Sequence, residues 1–302
     1  MQPNICLIMT DQQRADSLGC YGGRAVATPH IDRLGAEGVV FDRAYCTNPI
    51  CTPSRASLMT GHHLPRHGVY RLQDAMQPQQ VMFPERLRGW GYQTGLIGKL
   101  HAQAGAIEAV ERHPHDGFDR YELYYGGGAM MDSRYNGYAE WVRRRRPEVF
   151  NRLVAREKHA GPIPIEAHMN TWAAERSEDF LRTRDPDKPF FLMVSVFDPH
   201  NPYDDHPPEA EARVDRSRLK PLIPAATDLP LPPAVRREMT DNYFADFASL
   251  SADQIESMRV GYHAEVGLID DLVGQIGHAL ESQGVLDDTL IVFLSDHGDM
   301  LG

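Results

Sequence analysis

Four apolar runs punctuate the chain, each short enough to be a strand: Asn4–Thr10, Tyr92–Ile97, Pro189–Phe197 and Thr289–Leu294. Apolar residues without alternation need cover on both faces, as in a parallel sheet held between helices. The stretches between them carry helix signals. Thr28-Pro29 opens a short helix that Gly38 closes, Phe83–Trp90 reads as another, and Ala167–Thr183 is helical by pattern. A long helix starts at Ser251, where Gln254 completes a capping box, and Gly284 ends it. Its stripe is Val266, Ile269, Leu272, Val273, Ile276 and Leu280. Val39–Tyr45 reads as extended. The alternation predicts an α/β fold: a mostly parallel, mixed central sheet with helices on both faces. Residues 102–137, rich in His, Gly and Tyr, give no clear element. The proline-rich stretch 199–233 reads as an irregular excursion of the kind that shapes substrate choice.

Composition narrows the field. With 302 residues the chain can bury a sizeable core, and a formal charge of −11 argues against nucleic acid or an anionic membrane as partner. The one basic run, Arg143–Arg146, reads as a solvated helix face before it reads as an anion site. No apolar run is long enough to span a membrane. Residues 1–10 lack the charged start and cleavage site of a secretory signal, so the expectation is a cytoplasmic protein unless a leader has been removed. The cysteines Cys6, Cys20, Cys46 and Cys51 show neither zinc-ligand spacing nor disulfide density, and Cys6 reads as core packing.

Chemistry collects just after the strands. Asp11-Gln12 follows the first run, Gly98-Lys99-Leu100-His101 the second, Asp198-Pro199-His200 the third, and Ser295-Asp296-His297-Gly298-Asp299 the last. Singly, each has an ordinary explanation: an Asp that caps a helix, a hydrogen-bonded His, a surface Lys. If the strands run parallel, however, all four clusters share one edge of the sheet, where open α/β folds bind ligands. Asp11, Gln12, Asp296 and His297 together offer carboxylate, amide and imidazole donors for a divalent cation.

The most specific motif is Cys51-Thr-Pro-Ser-Arg-Ala-Ser-Leu-Met-Thr-Gly61. Thr52 suits an N-cap, Pro53 the first helical position and Gly61 the stop, which puts Cys51 where helix amides favour an anion. Alone, such a cysteine is more often a small buried residue or a dipole-lowered thiol. The longer match resembles the Cys-x-Pro-Ser-Arg signature of the type I sulfatases, and the strand-end clusters extend the resemblance over nearly the whole chain. The family resemblance implies an alkaline-phosphatase-like fold and a sulfuric ester hydrolase. It implies that Cys51 is oxidised by a formylglycine-generating enzyme to formylglycine, whose hydrate is the nucleophile. It further implies one divalent metal, Ca2+ or Mn2+, held by Asp11, Gln12, Cys51, Asp296 and His297. Arg55 would position the formylglycine and Lys99 would bind sulfate oxygens. His101 would take the proton that releases sulfate, and His200 would protonate the leaving alcohol.

The sequence also departs from that pattern. Many sulfatases carry Asp-Asp and Asp-Asn where this chain has Asp11-Gln12 and Asp296-His297, a variant that resembles choline-sulfatase-like enzymes and phosphonate monoester hydrolases. A phosphonate monoester or phosphodiester is therefore the alternative substrate class. Residues 1–302 read as the family's N-terminal catalytic domain, ending inside the last motif. Family members continue into a smaller C-terminal subdomain with a catalytic lysine, so the expectation for this polypeptide alone is weak or no activity, or an inactive remnant. Tyr124 and Tyr125 read equally as pocket wall and as local packing.

Overall fold

A computed structural model describes residues 2–126, 128–156, 161–221 and 250–301. Five strands form one sheet: β1 (Asn4–Thr10), β2 (Gln93–Gly98), β3 (Arg120–Leu123), β4 (Phe190–Ser195) and β5 (Thr289–Ser295), in the order β3-β2-β4-β1-β5. Every pairing is parallel, so the mixed sheet expected from the sequence is wholly parallel among the described residues. Register keeps the carboxyl ends level: Thr10 lies opposite Ser295, Met9 opposite Ser195, and Gly98 opposite Ser195.

Strand geometry divides the apolar runs between two cores, because successive side chains leave opposite faces. Cys6, Ile8, Phe190, Leu192 and Val194 enter one core with the stripe of the long helix Ala252–Ser282 and with Trp172, Ala173, Phe180 and Leu181 of helix Met169–Thr183. Leu7, Met9, Phe191 and Met193 enter the other, against Ala56 and Met59 of helix Cys51–Thr60 and Phe83 and Leu87 of helix Phe83–Gly89. All six residues of β4 are buried, as a central strand between two helical layers requires.

The local signals behave largely as their chemistry dictates. Both halves of the Ser251–Gln254 capping box form. Helix Met169–Thr183 starts later than the pattern suggests, because a tighter turn at Ile165–Ala167 precedes it and His168 serves as its N-cap. Strand β3 lies in the stretch that gave no pattern, its residues Arg-Tyr-Glu-Leu being only partly apolar. Val39–Tyr45 is not a strand. Val39, Phe41 and Tyr45 are 77%, 69% and 86% exposed, and the described residues give this segment no strand to pair with. Of the proline-rich stretch, residues 222–233 lie outside the described residues; the remainder holds only the short helix Pro208–Glu211 and a turn at Arg216–Arg218. The arginine run is a solvated face, with Arg144 on Glu140, Arg145 on Glu175 and Arg146 on Glu166. None of the described helices is long and apolar enough to cross a membrane.

Gly98, the last residue of β2, turns the chain into Lys99-Leu100-His101 with φ at +106°. A Cβ there would stand 1.9 Å from the Ser195 carbonyl oxygen of β4. Gly98→Ala therefore combines a left-handed backbone with a backbone clash, and should lose at least about 2 kcal/mol in urea denaturation. A midpoint matching wild type would show that the two strand ends are not packed this closely.

Candidate active site

The carboxyl ends of β1, β2, β4 and β5 meet the first turns of helix Cys51–Thr60, which is buried along almost its whole length. The helix begins at Cys51 with Ile50 as its N-cap, two residues before the Thr52 cap read from the sequence. Thr52 is free of capping because Ile50 already occupies the extended N-cap backbone; its hydroxyl instead lies 3.0 Å from His101 Nε2. Gly61 ends the helix in the left-handed conformation, as expected.

Arg55 is the centre of the arrangement. Its Nε donates to Asp296 at 2.6 Å and one terminal nitrogen donates to Asp11 at 3.1 Å. The other terminal nitrogen donates to the Lys99 carbonyl at 2.8 Å and to Ser195 Oγ at 3.0 Å. Ser54 Oγ adds a bond to the Asp296 carbonyl at 2.6 Å. Lys99 Nζ binds the same oxygen of Asp11 that Arg55 binds. Burial alone would raise the Asp11 pKa, but Lys99 and Arg55 hold it well below the usual carboxylate range. The two cations stay charged for the same reason: carboxylates outweigh the desolvation that works against them.

Each carboxylate spends one oxygen on Arg55 and turns the other toward a common point. Asp11 Oδ1 lies 3.4 Å from Cys51 Sγ and 3.7 Å from His297 Nε2; Asp296 Oδ1 lies 3.8 Å from the same nitrogen. Cys51 Sγ is 3.1 Å from His297 Nε2. One ligand atom from each of Asp11, Cys51, Asp296 and His297 falls within 4.8 Å of all the others. His297 Nδ1 donates to the Gly298 carbonyl at 2.8 Å, which keeps the ring proton on Nδ1 and leaves the Nε2 lone pair facing the group. Two carboxylate oxygens, an imidazole nitrogen with its lone pair inward and a sulfur position fit a divalent cation. Gln12 enters differently. Its backbone N–H donates to Asp296 Oδ1 at 3.0 Å, while its side-chain nitrogen donates to Asp299 and points to the Tyr203 hydroxyl.

The remaining expected residues line the approach. Lys99 Nζ sits 5.1 Å from the centre of the Phe197 ring, which in turn packs 4.3 Å from the His200 ring. His200 Nδ1 donates to the Asn201 carbonyl at 2.8 Å, and burial lowers its pKa to about 4 despite the pull of Asp11. Burial, then Lys99 and Arg55, push the His101 pKa well down. The His101 loop is held by Glu108, which accepts from the N–H groups of His101, Ala102 and Gln103 and from the Tyr125 hydroxyl. Tyr125 also packs edge-on to the His101 ring, whereas Tyr124 is core packing against Tyr138 and Trp172.

The structure places Asp11, Cys51, Arg55, Lys99, Asp296 and His297 in one group, with further residues that the sequence did not single out. Ser54, Thr52 and Asp299 stood inside the quoted motifs and had a signal. Ser195 and Phe197 had none beyond their place at the end of β4, and Glu108 and Tyr203 had none.

Comparison with known proteins follows the same lines. A sequence model of the sulfatase family matches residues 3–302, and the chain belongs to that family. It is 30% identical to an arylsulfatase of Clostridium perfringens over its whole length, covering 64% of that protein. It is 28% identical to a choline-sulfatase of Rhizobium meliloti, again over its whole length, covering 58% of the relative. The phosphonate monoester hydrolase of Agrobacterium radiobacter superposes with a TM-score of 0.81 at 24% identity, all of this chain on 64% of that one, which shows a shared fold. The chain thus spans less than two-thirds of the length of these relatives.

Burial and the neighbouring Asp11 charge push the Cys51 thiol far above its ordinary pKa, so an unconverted thiol here stays protonated. Iodoacetamide at pH 8 should label the exposed Cys46 of the folded, unconverted chain and leave Cys51 and Cys6 untouched until urea is added. Rapid native labelling of Cys51 would contradict its placement.

Proposed function

We propose that this chain is the catalytic part of a sulfuric ester hydrolase that cleaves sulfate monoesters through a formylglycine hydrate at position 51. The observation that carries the reading is the meeting of Cys51 with Asp11, Asp296 and His297 in one buried donor group beneath a helix start. A thiol held protonated by burial and a neighbouring carboxylate is a poor nucleophile, which favours conversion over direct use of the sulfur. Asp11, Asp296 and His297, with the group at 51 and Gln12, would hold a calcium or manganese ion. When bound, the metal offsets sulfate charge and the formylglycine hydrate supplies the nucleophilic hydroxyl.

The chain's own residues do the rest. Lys99 supplies a fixed positive charge for the sulfate oxygens, made affordable inside the protein by Asp11. Arg55 fixes the relative positions of the helix start and both carboxylates. His200, with Nδ1 committed to Asn201, has only Nε2 to offer a leaving oxygen. Its pKa of about 4 makes it neutral before substrate arrives, and the negative charge of a sulfate works against the burial that lowers it. His101, kept neutral and held by Thr52 on Nε2, is suited to accept a proton as sulfate departs. A sulfate ester as substrate, a formylglycine-generating enzyme as maturation partner and a cytoplasmic setting belong to the same reading. A phosphonate monoester or phosphodiester is the second reading, favoured by Gln12, whose neutral side chain stands where a further carboxylate would add negative charge.

Mass spectrometry of the Cys51 peptide purified from the native host tests the first reading. An aldehyde at 51 is expected; wholly unmodified thiol would end it. In the active full-length enzyme, His200→Ala should slow an alkyl sulfate by ~100-fold or more, while a nitrophenyl sulfate, whose leaving group needs no proton, slows far less. Equal losses on both substrates would remove His200 from the role of acid.

A further inference from the structure

The segment after β4 serves two groups. His200 faces the first, while Asp198 belongs to a second with His168, Asp205 and Glu265, every one of them buried. His168 comes from the N-cap of helix Met169–Thr183 and Glu265 from the middle of the long helix. Ligand atoms of His168, Asp198 and Asp205 lie within 4.8 Å of one another, and the Glu265 carboxyl is close enough to feel the charges of both Asp198 and Asp205.

Charge is what separates this group from the first. Asp11 and Asp296 are answered by Arg55 and Lys99, but among the described residues no Lys or Arg pairs with Asp198, Asp205 or Glu265. Their basic neighbours are imidazoles, His168 at 3.9 Å from Asp198 and His206 at 3.9 Å from Glu265. Burial keeps His168 neutral by lowering its pKa to about 3. Polar atoms are left over as well. Asp198 Oδ1, His168 Nε2, Asn170 Oδ1 and both Glu265 oxygens receive or make no hydrogen bond with a donor or acceptor of the described residues. Protons shared among the carboxyls would neutralise them, and burial does raise the pKa of Asp198 and Glu265 well above the usual range and that of Asp205 to about 6. Protons on the carboxyls, however, give no partner to His168 Nε2, which stands 3.9 Å from Asp198 Oδ2. A cation answers charge and lone pairs together.

We propose that His168 Nε2, Asp198 and Asp205 form a second divalent-cation site, with Glu265 supporting Asp205. With one imidazole beside two carboxylates, the donor set suits an ion of the manganese or zinc type. Metal–ligand bonds of about 2.0–2.2 Å set opposed ligands about 4 Å apart, and His168 Nε2 and Asp198 Oδ2 stand at 3.9 Å. Ligation moves the His168 ring proton to Nδ1 and gives up its 3.3 Å contact with the Asn170 amide, which is already long. The Asp198 carbonyl accepts from the Asp11 N–H at 3.2 Å, so an ion here steadies the backbone that carries the first group.

The test does not depend on the proposed activity. Crystals of the wild-type chain loaded with manganese chloride should show an anomalous difference peak among His168, Asp198 and Asp205, whatever the occupancy beside Cys51. No peak there overturns the proposal, including when the Cys51 group is filled. In solution, Asp205→Asn with an unchanged circular dichroism spectrum should bind one manganese equivalent fewer than wild type in equilibrium dialysis. Undiminished binding by that folded variant also overturns it.

Discussion

One buried guanidinium ties the site to the sheet. Arg55 reaches the residue after β1, the residue after β5, the carbonyl after β2 and the last side chain of β4, and it does so from the second turn of the helix that carries Cys51. Four strand ends and one helix start thereby share a single planar donor set. Lysine has no equivalent fork, so the geometry is specific to arginine. Removing one partner from such a network leaves an uncompensated buried charge, which costs about 3–5 kcal/mol. The spacing of Cys51 and Arg55, one helical turn apart, follows from this: both point toward the rim from the same face of the helix.

Compensation by Arg55 and Lys99 also divides the labour of the carboxylates. Oxygens facing Arg55 are spent on structure, and oxygens facing Cys51 and His297 remain open for chemistry. A site with both signs of charge can be buried without a ligand and still keep inward lone pairs. The group around Asp198 lacks that compensation: among the described residues its three carboxyls meet imidazoles, the Asn170 amide and each other, but no Lys or Arg. The two groups stand side by side on the same peptide link, one charge-balanced by protein and one not. This contrast, more than any single distance, distinguishes what the sheet rim does from what lies beneath the long helix.

Much of the fold was legible because it rests on local rules. β1 matches its apolar run residue for residue, and the Ser251 capping box formed as written, since an N-cap needs only its own first turn. Elements that depend on a partner were not legible. The extended pattern of Val39–Tyr45 has no strand beside it, and β3 exists because β2 offers a free edge, not because Arg-Tyr-Glu-Leu is apolar. Within the site, Glu108 illustrates the same limit. Nothing near it in sequence hints that its carboxylate would collect the amides of His101, Ala102 and Gln103 and the hydroxyl of Tyr125.

The sequence by itself determined the strand-end chemistry, the cysteine–arginine spacing and the parallel α/β class, because these are properties of short segments and of their hydrophobic period. Tertiary structure decided which oxygen of each carboxylate is spent on Arg55, which nitrogen of His297 faces inward, and that Asp198 turns away toward His168, Asp205 and Glu265. Those outcomes depend on contacts between residues as far apart as Asp11 and Asp296, which are fixed only when β1 and β5 pair in register.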